Sequence, residues 1–175
     1  DFRCFKKDAT FSFRPGVNLL VGDQGSGKST LLSVLSGNGR GNWAAIWMLA
    51  SQTDYGTQFW PDNGEIDILE HVGYDPGVLH ASVHTKAFNH MINTQKTATA
   101  IVDKWDTEFH LYRIDWTPDY IRAFIDNKQF FEHKNTRSGW EQWPFDRKQH
   151  ILMNLAIGGN WGGLKGVDDT IFPNK

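Results

Sequence analysis

From Trp43 onward, apolar and polar residues alternate with a period of two, in runs at Trp43–Ala50, Glu65–Glu70, Leu79–Thr85, Phe109–Trp116, Tyr120–Ile125 and His150–Ile157. Clusters of Gly, Pro, Asn and Asp separate the runs. Successive side chains of a strand point to opposite faces, so this pattern predicts antiparallel strands with one buried face each. Ile125-Asp126-Asn127-Lys128 predicts a hairpin turn, because Asp and Asn tolerate the backbone angles that tight turns need. Such a series builds a two-sheet sandwich. The pattern before Gly37 is different. It predicts a short strand near Phe11–Phe13, a turn at Pro15-Gly16, an apolar strand at Val17–Val21, a glycine-rich loop, and a helix from Lys28 to Leu35.

Composition sharpens that division. All eight tryptophans lie at or beyond Trp43. Residues 1–38 hold five Lys/Arg against three Asp/Glu, whereas residues 39–175 hold thirteen against seventeen, so the charge changes sign at the same place. A chain of 175 residues is about one domain's worth. The net charge of −2 carries no clustered basic footprint, which argues against nucleic acid and anionic membrane as partners. No run of about 18 apolar residues exists, and the first residues, DFRCFKKDATFSF, lack the order of a signal peptide. Cys4 is the single cysteine, so no intramolecular disulfide forms. No His/Cys/Asp cluster has transition-metal spacing, so neither zinc nor any other required cofactor is expected.

The most informative stretch runs from Gly64 to His71. Alternation places Glu65 and Asp67 on one strand face and Ile66 and Ile68 on the other. Glu70 has the wrong parity for the acidic face, and a β-bulge at Leu69 would return it there. Glu65 and Glu70 would then lie roughly 13 Å apart at Cα, a distance that two inward-leaning glutamates largely close. A carboxylate pair about 5–5.5 Å apart suits retaining glycoside hydrolysis, whereas an inverting pair stands about 6.5–9.5 Å apart to admit a water. The competing reading is a plain solvated strand face. A glycan site also needs flat rings for sugar C–H faces, and Trp47, Trp60 and Trp161 are candidates, with core packing as the alternative for each. Trp105, Trp116, Trp140 and Trp143 are expected in core or loop roles. His84 shares a strand face with His80 and Ser82, and His71 is expected to point away from Glu70.

Six blocks decide between these readings: Trp43–Leu49, Trp60–Glu70, His80–Thr85, Phe109–Tyr112, Trp143–Asp146 and Asn154–Gly163. Their content and order resemble glycoside hydrolase family 16, specifically its bacterial laminarinases. The resemblance implies an all-β fold, a concanavalin A-like β-jelly-roll sandwich with a concave cleft for a β-glucan polysaccharide or oligosaccharide. It implies Glu65 as nucleophile, Glu70 as acid/base and Asp67 as the carboxylate that tunes the pair, with Glu65 ionised and Glu70 holding a proton. It also brings His84, Asn160 and Trp161 into the cleft beside Trp47 and Trp60. Many members carry a structural calcium on the convex side, with ligands partly from terminal strands. Family members acting on polymers are usually secreted or periplasmic. On this reading residues 37–175 form the sandwich, without its usual first strands and last strand, and the activity is endo-acting on β-1,3-glucan.

Residues 1–36 carry a second signal. Gly22-Asp23-Gln24-Gly25-Ser26-Gly27-Lys28-Ser29 is a complete G-x-x-x-x-G-K-[ST] motif after an apolar strand and before a helix. Its backbone N–H groups, from Gly22 to Gly27, would cradle phosphates, Lys28 would reach the β/γ-phosphates and Ser29 would hold Mg²⁺ beside ATP. The segment resembles the head of ABC-type and SMC-like ATPases, but no Walker B strand or L-S-G-G-Q signature follows. Three accounts therefore stand: a laminarinase-like enzyme, a nucleotide-binding module, and an inactive splice of two unrelated segments.

Overall fold

The structure, a computed structural model, describes residues 39–168, so the segment carrying Gly22, Gly27, Lys28 and Ser29 lies outside the described residues. Eight strands follow one another: β1 (Asn42–Ala50), β2 (Glu65–Val72), β3 (Val78–His84), β4 (Lys96–Ile101), β5 (Tyr112–Trp116), β6 (Tyr120–Ile125), β7 (Lys128–Lys134) and β8 (Gln149–Ile157). A single 3₁₀ turn, His90–Ile92, is the helical element among the described residues. Every strand pairing is antiparallel. One sheet has the order β4-β3-β2-β1-β8 and the other the order β5-β6-β7.

The core forms where alternating apolar positions of both sheets meet. Met48, Ile66, Ala81 and Val83 from the larger sheet pack with Ile121, Ala123 and Phe131 from the smaller, and Trp143 and Phe145 close the cluster. A second group joins Leu69 and Leu79 to Ile125. Each fully buried Ile or Val side chain here, such as Ile66, Val83 and Ile121, contributes about 1.5–3 kcal/mol. The β6–β7 hairpin turns on Asp126 (φ 49°) and Asn127 (φ 67°), the left-handed pair that a two-residue hairpin requires. Ile125 and Lys128 are register partners across it, as the sequence predicts.

Three elements differ from the runs read in the sequence, one of them β7, which only the hairpin turn before it implied. The Phe109–Trp116 run becomes a strand only at Tyr112, and Phe109 is left 77% exposed. β4 has no counterpart among the sequence runs, because Lys96-Thr97-Ala98-Thr99-Ala100-Ile101 alternates small residues with Thr and carries little hydrophobic contrast. It pairs nonetheless with β3 from Val78↔Ile101 to Val83↔Lys96 at the sheet edge.

Candidate active site

Register explains how the acids converge. Glu65, Asp67 and Glu70 of β2 stand opposite His84, Ser82 and His80 of β3. Two residues of β2, Ile68 and Leu69, occupy the interval that Ala81 fills alone on β3. Against β1, Ile46 pairs with Leu69 and Trp47 with Asp67, so Ile68 is the extra residue. The expected bulge is therefore present, but the supernumerary position is Ile68 rather than Leu69. Both residues turn to the core, Ile68 onto the Met48 cluster and Leu69 into the Leu79 cluster. Two consecutive inward residues correct the parity and bring Glu70 to the same face as Glu65 and Asp67.

That face is largely buried and crowded with carboxyl groups. Asp67 is buried, and Glu65 and Glu70 are half-buried. Burial first, and the Asp67 carboxylate second, push Glu65 up to about 8. Burial raises Glu70 to about 7; the N–H of Trp43 works against this rise and the charge of Glu65 adds to it. Asp67 is held well above the ordinary carboxylate range by burial and by Glu70, and a hydrogen bond with Glu65 offsets part of that. All three acids therefore resist ionisation together. Both glutamates are thus held toward the acid form, Glu65 as well as the Glu70 that the resemblance makes the proton carrier. Two local causes add to the difference between them: Asp67 sets its charge beside Glu65, and Trp43 Nε1 donates to Glu70 Oε1 at 3.0 Å, whereas Trp60 Nε1, the weakest influence on Glu65, makes no aligned hydrogen bond.

His84 completes the Glu65 end. Its Nε2 lies 3.3 Å from Asp67 Oδ2, in ion-pair contact but without hydrogen-bond alignment. Burial depresses the imidazole's proton affinity, and the Glu65 and Glu70 charges oppose that only in part. Glu65, Asp67 and His84 each offer a donor atom, and these atoms lie within 4.8 Å of one another. Because Glu65 and His84 face each other across two strands, linear spacing does not reveal this grouping.

Aromatic groups flank both ends. At the Glu65 end, Trp60 lies 6.1 Å from the His84 ring and 5.0 Å from His90. The loop that delivers Trp60 is held by its own side chains: Asn63 Oδ1 accepts from the N–H groups of Asp54 and Tyr55, and Asp62 Oδ2 accepts from those of Thr57 and Gln58. Gly64 then joins the loop to Glu65 at φ 82°, and a Cβ there would lie 2.7 Å from Phe145 Cε1 and 2.8 Å from Pro144 Cγ. At the Glu70 end, Trp161 makes edge contacts with Trp43 (5.3 Å) and with His80 (4.9 Å). The glycine turn before and after Trp161 lies directly on Trp43, because a Cβ on Gly162 would meet the Trp43 Cβ at 2.7 Å.

The structure thus brings Glu65, Asp67, Glu70, Trp60, His84 and Trp161 together. Trp47 shares their face as the register partner of Asp67 and donates from Nε1 to Asn154 Oδ1 at 2.7 Å. Asn160 is exposed in the turn that carries Trp161. His71 points to the other side, where its Nε2 accepts from the Gly77 N–H and its ring lies 4.1 Å from Trp105. Trp143 is core, Trp116 donates to the Phe145 carbonyl and Trp140 stacks on Tyr55. Trp43 was not among the sequence candidates, although its parity matches Trp47 and β1 register then aligns both with the acids.

Comparisons with known proteins agree with this geometry. Residues 26–171 match the family model described as glycosyl hydrolases family 16, and residues 1–37 match one described as an AAA domain. The chain is 50% identical over 141 residues to a beta-glucanase of Rhodothermus marinus, covering 78% of this chain and 49% of that protein. The X-ray structure of the laminarinase from Rhodothermus marinus superposes with a TM-score of 0.77 at 50% identity, covering 78% of this chain and 56% of the other. A non-specific endo-beta-1,3(4)-glucanase co-crystallized with 1,3-beta-D-cellotriosyl-glucose superposes with a TM-score of 0.73 at 42% identity, covering 78% and 52%. The chain spans about half the length of the relatives it matches. Its antiparallel two-sheet architecture is the β-jelly-roll of those laminarinases, and the chain belongs to glycoside hydrolase family 16.

Proposed function

We propose that this chain carries the catalytic strand of an endo-β-1,3-glucanase of the laminarinase type, cleaving β-glucan with retention. The observation that carries the proposal is the bulged β2, which turns Glu65, Asp67 and Glu70 to one face. Glu65 attacks the anomeric carbon while Glu70 protonates the departing glycosidic oxygen; Glu70 then takes a proton from the water that releases the covalent glycosyl-enzyme. Glu65 must be ionised for the first step, yet its surroundings favour the acid form. Asp67, whose own proton affinity is raised, takes over the proton it shares with Glu65 and hydrogen-bonds back to the resulting carboxylate, which leaves Glu65 nucleophilic. Trp60 and Trp161, one at each end of the acids, suit stacking on successive sugar rings.

Two features support the glucan as substrate: the likeness to the Rhodothermus beta-glucanase and the β-glucan oligosaccharide held by a solved relative. A polymer substrate fits an exported protein, and no helix among the described residues is long and apolar enough to cross a membrane. Reducing-sugar release from laminarin is the direct test. The unmodified protein should be active, and Glu65→Gln should lower turnover by at least about a thousandfold while the protein still unfolds cooperatively. Retained turnover in Glu65→Gln would sink the assignment. The match of residues 1–37 to an AAA domain supports a separate nucleotide-binding reading of Gly22–Ser29, to be read as a rise in melting temperature with MgATP.

A further inference from the structure

Glu65, Asp67 and His84 offer one imidazole and two carboxylate donors from adjacent strands, all within 4.8 Å of one another. The Asp67 side chain is only 2% exposed, and its Oδ2 has no hydrogen-bond partner while lying 3.3 Å from His84 Nε2. A buried carboxylate oxygen without a donor is costly, and it is aimed at the imidazole rather than at water. Two ligands about 2.0–2.1 Å from a tetrahedral ion stand about 3.3 Å apart, which is the separation these two atoms already have. His84 Nδ1 is also buried without a partner, so neither ring nitrogen is committed elsewhere.

We infer that Glu65, Asp67 and His84 form a binding site for one borderline divalent transition ion of the zinc or copper class, which occupies the cleft in competition with glycan. Mixed imidazole and carboxylate donors favour such ions, whereas calcium and magnesium select more numerous, all-oxygen shells. The ion would also relieve the crowding of negative charge on this face, with the displaced protons released to solvent. Trp60 and His90 form the wall beside His84. Binding itself is independent of the glucanase reading; only its consequence, reversible loss of turnover through occupation of Glu65, rests on that reading.

Competition of the full chain with a chromogenic zinc chelator tests the site. One equivalent of Zn²⁺ should bind, His84→Gln should weaken it by at least about tenfold, and Glu65→Gln, which keeps the side-chain shape, should weaken it as well. Should His84→Gln fail to fold, Cu²⁺ electron paramagnetic resonance on the unmodified protein decides instead, with coupling to a single nitrogen expected. Binding indifferent to both variants, displacement of Zn²⁺ by equimolar Ca²⁺ or Mg²⁺, or coupling to several nitrogens would overturn the proposal. Laminarin turnover inhibited by Zn²⁺ and restored by excess substrate is the expected kinetic counterpart. Zinc binding of this kind in a protein inert toward laminarin would leave the ion site standing and remove the glucanase reading. Turnover indifferent to saturating Zn²⁺ would overturn the competition.

Discussion

The two ends of the acidic face are built from the same parts and behave differently. Each has a glutamate, a tryptophan and a histidine: Glu65 with Trp60 and His84, Glu70 with Trp161 and His80. Two things separate them: Asp67 sets its charge beside Glu65, and at the Glu70 end Trp43 presents its indole N–H to the carboxylate at 3.0 Å. Glu70 is thereby held near 7 while Glu65 rises to about 8. One donor in a desolvated site outweighs a good deal of shared architecture, because a hydrogen bond to a charged group counts for about 1.5–3 kcal/mol.

The sharpest test of that asymmetry is chemical. Glu65→Gln and Glu70→Gln should both lose at least about a thousandfold on laminarin, but only Glu70→Gln should recover its first step on an aryl glycoside whose leaving group needs no proton. Equal recovery in both variants would erase the distinction between the ends. Next in size is Gly64→Ala, which forces a methyl group against Phe145 and Pro144 at positive φ and should cost about 2–4 kcal/mol in denaturant unfolding. An unchanged midpoint would mean that the Glu65 end is not held by that contact.

Trp43→Phe removes the donor while keeping an aromatic ring against Trp161. Without it Glu70 should bind its proton more tightly, moving the alkaline limb of kcat/KM upward by up to about one pH unit. A stationary limb would show that Trp43 does not set the difference. The smallest effect concerns stability. Glu65 and Glu70 bind protons more tightly folded than unfolded, so their contribution is complete at low pH and lost as pH rises through their folded values. Buried histidines such as His71, held near 4, act in the opposite direction below their ordinary range. The melting temperature should therefore fall by a few degrees between about pH 6.5 and 8.5, and Glu65→Gln should flatten that slope. A melting temperature rising over that interval would contradict the raised values.

Much of this was legible in residue order. Strong contrast between Ile, Trp or Leu and polar neighbours marked β1, β2, β3, β6 and β8, and Asp126-Asn127 marked the hairpin. β4 escaped because Thr and Ala barely differ in hydrophobicity. Parity alone demanded a bulge in β2, but which residue is supernumerary depends on pairing with β1 and β3. The same holds for the contact of Trp43 with Glu70 and of His84 with Asp67, which join residues far apart in the chain through register. The balance of the two glutamate proton affinities depends on where one indole N–H points and on which carboxyl Asp67 lies beside, neither of which residue order shows.

The extra residue in β2 has a genetic corollary. Loss of the single codon for Ile68 would leave Leu69 alone opposite Ala81 and restore plain alternation, with Glu70 still on the face of Glu65 and Asp67. What the deletion would remove is the Ile68 contact with the core and the local bend of the strand, so position 68 sets the spacing between Glu65 and Glu70 rather than the side they face.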